Sequence, residues 1–235
     1  MTRALVVDGK LTVPLYHGTS TIFYSSIVEN GLGGRNIVDD LGLPATVRRL
    51  LEYEEQLQTY PNWPLEKRLL LKIADDPSTQ NLAGHFGFNF RYGGTYVTPS
   101  LQTAATYALL NKCGSEALAS TLKILEALLA QLPALASEEQ FSKLVALASQ
   151  PARPMLIEAH KVPVTSLRAE QGGPCDAVLE QIEWALADPE IYDTMVQQDN
   201  FELLHPVPAS QLRFNRIVNP QSGHESLEHL ELEAM

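Results

Sequence analysis

The feature that most constrains this fold is the scatter of its short apolar runs. Runs with strand character fall at Ala4–Val7, Val13–Tyr16, Gly94–Thr98, Met155–Val162, Phe201–His205 and Leu212–Val218. Between the second and third lies Pro44–Ala74, whose apolar spacing and charges predict two helices broken around Pro61–Pro64. Between the third and fourth, Ser115–Gln131 is rich in Ala and Leu, and Pro133 interrupts the pattern. Ser137-Glu138-Glu139-Gln140 then reads as a capping box opening another helix that stops before Pro151. The expected architecture is therefore α+β, with a β core in one domain over residues 1–220. Helical insertions are expected at about 40–76 and 115–150, followed by an acidic C-terminal tail, 221–235, as a short helix or a loose end.

Composition narrows the function classes. With 235 residues and 45% hydrophobic content, the chain is long enough for a sizeable core. Its formal net charge of -11 gives no general attraction to phosphate backbones or anionic membranes, which leaves only a local basic patch such as Arg48, Arg49, Lys67 and Arg68. Cys113 and Cys175 are too few for a disulfide framework and lack metal-ligand spacing, so no metal is expected. The start, MTRALVVDGK, meets Asp8 and Lys10 too soon for a secretory signal, and no run has the length of a membrane span. A cytoplasmic protein is expected; an effector exported by a route that leaves no such signal would look the same.

Three stretches carry chemistry. In Tyr16-His17-Gly18-Thr19 a histidine ends an apolar run, and a helix follows that Gly31 would end. In isolation this is a strand, a turn and a capped helix. In Gly94-Thr95-Tyr96-Val97-Thr98, followed by Ala104-Ala105-Thr106-Tyr107, a strand, a turn at Pro99 and a helix carry two tyrosines to one place. Each alone fits a core tyrosine with an exposed hydroxyl. In Phe201-Glu202-Leu203-Leu204 a carboxylate interrupts an apolar strand, and alternation alone does not decide which face it takes.

Taken together and in this order, the stretches resemble the mono-ADP-ribosyltransferases of the histidine-tyrosine-glutamate class, with the closest likeness to the catalytic domain of diphtheria toxin and a more distant one to poly(ADP-ribose) polymerases. The likeness covers about half of the chain; Asp40–Asp76 and Ser115–Gln150 have no counterpart in it. It implies a split β core, NAD as co-substrate without a metal, and Glu202, His17 and Tyr96 as catalytic residues. It further implies that His17, Gly18, Thr19, Tyr96 and Tyr107 bind NAD. Glu180, Glu183 and Glu190 are rivals for the glutamate position.

The chemistry explains that set. Cleavage of the bond between nicotinamide and ribose builds positive charge on the sugar, which a carboxylate such as Glu202 stabilises. The nicotinamide ring is cationic, and two tyrosine faces attract it. His17 suits a ribose hydroxyl, and the backbone of Gly18 the nicotinamide amide. The lack of a Gly-x-Gly-x-x-Gly fingerprint is consistent with this class, which uses no Rossmann phosphate loop. The same residues would serve an NAD glycohydrolase, and a non-catalytic NAD or ADP-ribose binding module is a further alternative.

The resemblance implies a macromolecular acceptor, a protein side chain being favoured over a DNA or RNA base because the chain is acidic. The stretch before Glu202, Pro189–Asn200, would present it. A complete-looking catalytic set with no evident autoinhibitory segment predicts a bacterial or phage-associated toxin or effector held in check by a separate antitoxin or immunity protein.

Overall fold

The computed structural model describes residues 4–74, 94–170, 175–218 and 230–235. In chain order the elements begin with β1 (Val6–Val7), β2 (Lys10–Leu11), β3 (Leu15–Ser20) and α1 (Tyr24–Asn30). Four helices follow: α2 (Ile37–Asp40), α3 (Leu43–Leu51), α4 (Glu54–Leu57) and α5 (Trp63–Ile73). Then come β4 (Tyr96–Val97), α6 (Leu101–Leu110), α7 (Glu116–Gln131), α8 (Glu139–Ala148), β5 (Pro154–Ala159) and β6 (Leu167–Ala169). The last are α9 (Cys175–Ala185), α10 (Tyr192–Met195), β7 (Phe201–Leu203), β8 (Leu212–Val218) and β9 (Glu231–Ala234). The class is mixed α and β with antiparallel sheets. No described helix is long and apolar enough to cross a membrane.

The chain divides into two compact units. The first takes the segments up to Arg35, Gly94–Gly114 and from Ala152 onward. It holds every described strand, in a β1-β2 pair, a sheet of order β3-β5-β8-β9 and a sheet of order β4-β7-β6. Alternation along β3 sorts its side chains. Leu15 joins Met155, Ile157 and Ala159 of β5 in the main core with Phe201, Leu203 and Ile182. Tyr16 and Gly18 turn to the other face, where Ala104, Ala105 and Ala108 of α6 pack on Leu156 and Ile217. These small side chains let α6 lie close to the sheet. A Cβ on Gly18 would come within 1.9 Å of the Ala104 carbonyl oxygen and 2.9 Å of the Ala108 nitrogen, so only glycine fits under this helix.

Helix ends follow local chemistry. Ser100 caps α6, its Oγ accepting from the Thr103 N–H at 3.1 Å, and Asp193 Oδ1 accepts from the Leu101 N–H at 3.1 Å. Gly31, at φ 80°, ends α1, its N–H donating to the Ile27 carbonyl at 2.8 Å.

The second unit takes Asn36–Gly93 and Ser115–Pro151, and its described elements are all helical. Pro64 lies in the first turn of α5 after Asn62, where a proline is tolerated because its missing N–H has no helical partner. The stretch expected as two helices is shorter pieces, α3, α4 and α5, with α2 before them; residues 75 and 76 lie outside the described residues. Ser115 caps α7 by accepting from the Leu118 N–H at 3.4 Å. The capping box expected at Ser137–Gln140 does not form. Pro133–Ser137 is a 3-10 turn in which the Ser137 hydroxyl donates to the Ala134 carbonyl at 2.9 Å, and α8 starts at Glu139 without a side-chain cap. Glu138 is engaged elsewhere: Arg49 donates to it from Nε at 3.0 Å and Nη2 at 3.1 Å, and the Tyr53 hydroxyl donates at 3.1 Å. The Arg49 guanidinium and the Tyr53 hydroxyl hold the Glu138 carboxyl below its usual range. Arg48 donates to the Ala74 carbonyl and Lys67 pairs with Glu54 at 2.7 Å, so these cations of the basic patch have partners within the unit.

The C-terminal end differs from expectation. Residues 221–229 lie outside the described residues, but Glu231–Ala234 form neither a helix nor a loose tail; they pair antiparallel with Asn215–Val218 of β8. Glu233 sits opposite Arg216 and forms an ion pair with it, which offsets the acidity of this edge strand.

Candidate active site

The candidate site is built where β3 and β4 part company. Tyr16 and Thr98 exchange both backbone hydrogen bonds, Tyr16 N–H to Thr98 O at 2.7 Å and Thr98 N–H to Tyr16 O at 2.9 Å. In a continued antiparallel ladder the next such exchange would join Gly18 to Tyr96. It does not occur. The His17 ring takes the Tyr96 carbonyl instead, with Nδ1 at 2.7 Å from that oxygen. A carbonyl only accepts, so Nδ1 carries the proton and Nε2 is left as an acceptor. Because Tyr16 turns its N–H and C=O away from β5, alternation turns those of Gly18 to the same edge, past the last bridge to β4. Burial of the His17 ring lowers its pKa, and the bond to the Tyr96 carbonyl opposes that shift; the neutral imidazole is the resting form.

Tyr96 connects this edge to the carboxylate. It pairs with Glu202 of β7, and the Leu203 N–H donates to Thr95 O at 2.9 Å. That pattern makes Tyr96 and Glu202 a non-hydrogen-bonded pair, the closely spaced kind, and aims the Tyr96 carbonyl outward to the His17 ring. Phe201 is buried in the core and Glu202 alternates with it, so its carboxylate shares the opposite face with Tyr96 and with Arg168 of β6. Arg168 binds it through two nitrogens, Nε at 3.0 Å and Nη2 at 2.5 Å, both to Oε2. Across this sheet one row therefore reads Tyr96, Glu202, Arg168.

The other expected residues sit around this row. Thr19 is buried, its hydroxyl donating to the Gly114 carbonyl at 3.5 Å. Tyr107 is partly buried on α6, one turn beyond Ala104, whose backbone abuts Gly18. The rival glutamates are exposed: Glu180 and Glu183 on α9, and Glu190 in the turn before α10. None of the three pairs with β4.

Sequence reasoning missed Arg168. Its only signal was an isolated arginine in Leu167-Arg168-Ala169, too short a run to read as a strand. The stretch before Glu202 is tied to α6. Thr103 donates to the Gln197 carbonyl at 3.1 Å and the Gln197 amide bonds the Gln102 side chain at 3.0 Å, so Gln197 is committed to α6. Tyr192 and Tyr16 lie within electrostatic reach of each other, and both hydroxyls are pushed up to about 12. For Tyr16 the causes are burial and then Glu158 and Asp193; for Tyr192 they are burial and then Tyr16, Asp193 and Asp199. Burial also raises Asp199. Among the described residues, no group of three or more His, Cys, Asp or Glu side chains gathers to hold a metal ion.

No protein-family model matches the chain, and no match was found among curated proteins or solved structures.

Proposed function

We propose that this protein is an NAD-dependent ADP-ribosyltransferase, moving ADP-ribose from NAD to a macromolecular acceptor with release of nicotinamide. The supporting observation is the split between β3 and β4, where the His17 ring replaces Gly18 at the Tyr96 carbonyl next to Glu202. This puts the Gly18 backbone edge beyond the last bridge to β4, with an imidazole acceptor, an aromatic ring and a carboxylate on neighbouring elements. An amide such as that of nicotinamide needs one donor and one acceptor, which the Gly18 N–H and C=O supply. His17 Nε2 suits a ribose hydroxyl as donor, and the rings of Tyr96 and Tyr107 suit a flat cation. The arrangement agrees with an ADP-ribosyltransferase-like split β core.

In the reaction the bond between C1′ of the ribose and the nicotinamide nitrogen breaks, and its electron pair stays with nicotinamide, cancelling the ring's positive charge. A lone pair of the acceptor forms the new bond to C1′, and the acceptor's proton leaves to solvent. Glu202 stabilises the positive charge that develops on the ribose. A protein side chain is the favoured acceptor and a DNA or RNA base the rival. The biological reading is a bacterial or phage-associated toxin or effector, acting in a cytoplasm and restrained by a separate antitoxin or immunity protein.

The experiment is incubation of the protein with labelled NAD and a cell lysate, followed by protease and nuclease digestion. Label released by protease supports a protein acceptor, and label released by nuclease a nucleic acid. Nicotinamide release without labelled macromolecule makes the protein a glycohydrolase; no release at all overturns the reading.

A further inference from the structure

We propose that Arg168 is a positioning residue for Glu202: it holds the carboxylate by one oxygen so that the other faces the reacting ribose. The inference rests on the proposed transferase reading. Its basis is geometric. Glu202 lies on the middle strand of the β4-β7-β6 sheet, with Tyr96 directly opposite on one side and Arg168 on the other. The Glu202 side chain is 16% exposed while that of Arg168 is 54% exposed, so the arginine reaches in from the rim to a mostly covered acid. Both donors converge on Oε2, at 3.0 and 2.5 Å, and Oε1 takes no part in the pair.

Such a contact fixes the torsions of a side chain that would otherwise sample several rotamers. A glutamate carboxylate is broad about its last torsion, and two donors from one guanidinium remove that freedom. The fixed planar fork matters as much as the charge, so a lysine, a point charge with rotating donors, restores only part of the effect. The partial exposure of Arg168 keeps the pair from being a buried structural ion pair, whose loss would unfold the sheet. A positioning role and a folding role are therefore separable here.

Two measurements test this. The first needs no NAD: the Arg168 Nε–H proton, followed by NMR, is expected to be protected from exchange in the full chain and to lose protection in Glu202→Gln. The second compares Arg168→Ala and Arg168→Lys with wild type in nicotinamide release and in NAD binding by calorimetry. We expect kcat to fall about 10- to 100-fold in Arg168→Ala, with a smaller loss in Arg168→Lys, while Kd for NAD stays within about 3-fold and the melting temperature drops by no more than about 4 °C, so that the protein stays folded at the assay temperature. Arg168→Ala should also add no further loss in a Glu202→Gln background. An unprotected Nε–H, or a loss that appears in Kd and not in kcat, or equal losses in both backgrounds, overturns the proposal. A protected Nε–H in a wild-type protein that releases no nicotinamide overturns the functional reading instead, and leaves a structural pair.

Discussion

The imidazole of His17 lies 2.7 Å from the carbonyl of Tyr96, in the place where a continuous sheet would set the Gly18 N–H. One side chain thus separates two strands and fixes its own tautomer in doing so. The site predictions descend from that contact and from the row it adjoins.

Glu202→Gln keeps the shape of the side chain and removes its charge. We expect transfer to fall about 100-fold or more while NAD binding is largely kept. Nicotinamide release, measured with equilibrium binding in parallel, checks it. Near-normal turnover would show that Glu202 is not the charge partner, against its position beside Tyr96.

Tyr107→Ala removes one ring from the proposed slot. NAD affinity should weaken by roughly 1 kcal/mol or somewhat more, with the fold retained, because Tyr107 is only partly buried. Calorimetric titration and thermal melting distinguish this from loss of a core residue, which would lower the melting temperature and leave no separable effect on binding.

Gly18→Ala tests packing independently of any activity. Its methyl group would stand 1.9 Å from the Ala104 carbonyl oxygen, a backbone atom that cannot swing aside, so α6 must lift. Overpacking of this severity should cost about 3 kcal/mol or more, a drop in melting temperature of roughly 10 °C. A variant as stable as wild type would mean that α6 does not press on β3.

The pH dependence of His17 has a definite sign. Burial lowers its pKa in the folded protein below the ordinary value of 6.5, so the unfolded chain takes up the proton first as pH falls. The stability that depends on the neutral ring is complete above about pH 6.5 and is lost as pH drops through the lowered folded value. Protonation also removes Nε2 as an acceptor, so NAD affinity should weaken in the same direction. His17→Gln should flatten both dependences in denaturation and binding series run between about pH 5 and 8.

Expression alone tests the biological reading. Induced in bacteria without a partner, the wild-type protein should arrest growth and Glu202→Gln should not. Harmless accumulation of a demonstrably active enzyme would leave a housekeeping transferase.

What could be read from the sequence was local. β5 and β8 were visible because runs such as Met155-Leu156-Ile157 are rich in strand formers, α6 because a turn at Pro99 precedes it and α7 because its stretch is rich in Ala and Leu. Only the start of β3 was visible: the strand runs through Gly18 to Ser20, where a turn and a helix cap were expected, and Ser20 makes no side-chain cap. What escaped was set by distant partners. Leu167-Arg168-Ala169 is a strand only because β7 lies beside it, and Glu231–Ala234 only because β8 offers an edge and Arg216 a counter-charge. α9 was not anticipated, although Leu179, Ile182 and Ala185 supply a helical stripe to the main core. The reason for Gly18 was legible only in part. Its backbone edge followed from the motif, whereas the pressure of α6 on its α-carbon is a tertiary fact. Ser137 failed as a cap because it ends a 3-10 turn that takes its hydroxyl back to the Ala134 carbonyl, so that Glu138 instead precedes α8.

The order of strands in the β4-β7-β6 sheet has a consequence for synthesis on the ribosome. β7 is the last of the three to be made, yet it is the middle strand, and β3 likewise finds its sheet partner only in β5, at residues 154–159. Every pairing that shapes the candidate site closes a long loop, which slows its formation relative to local helices. A nascent chain carries His17, and later Tyr96, for most of its translation with no carboxylate to answer them. On the proposed function, the site is complete only once residues 201–203 lie between β4 and β6, so a nascent chain that stops before that point lacks the carboxylate of Glu202.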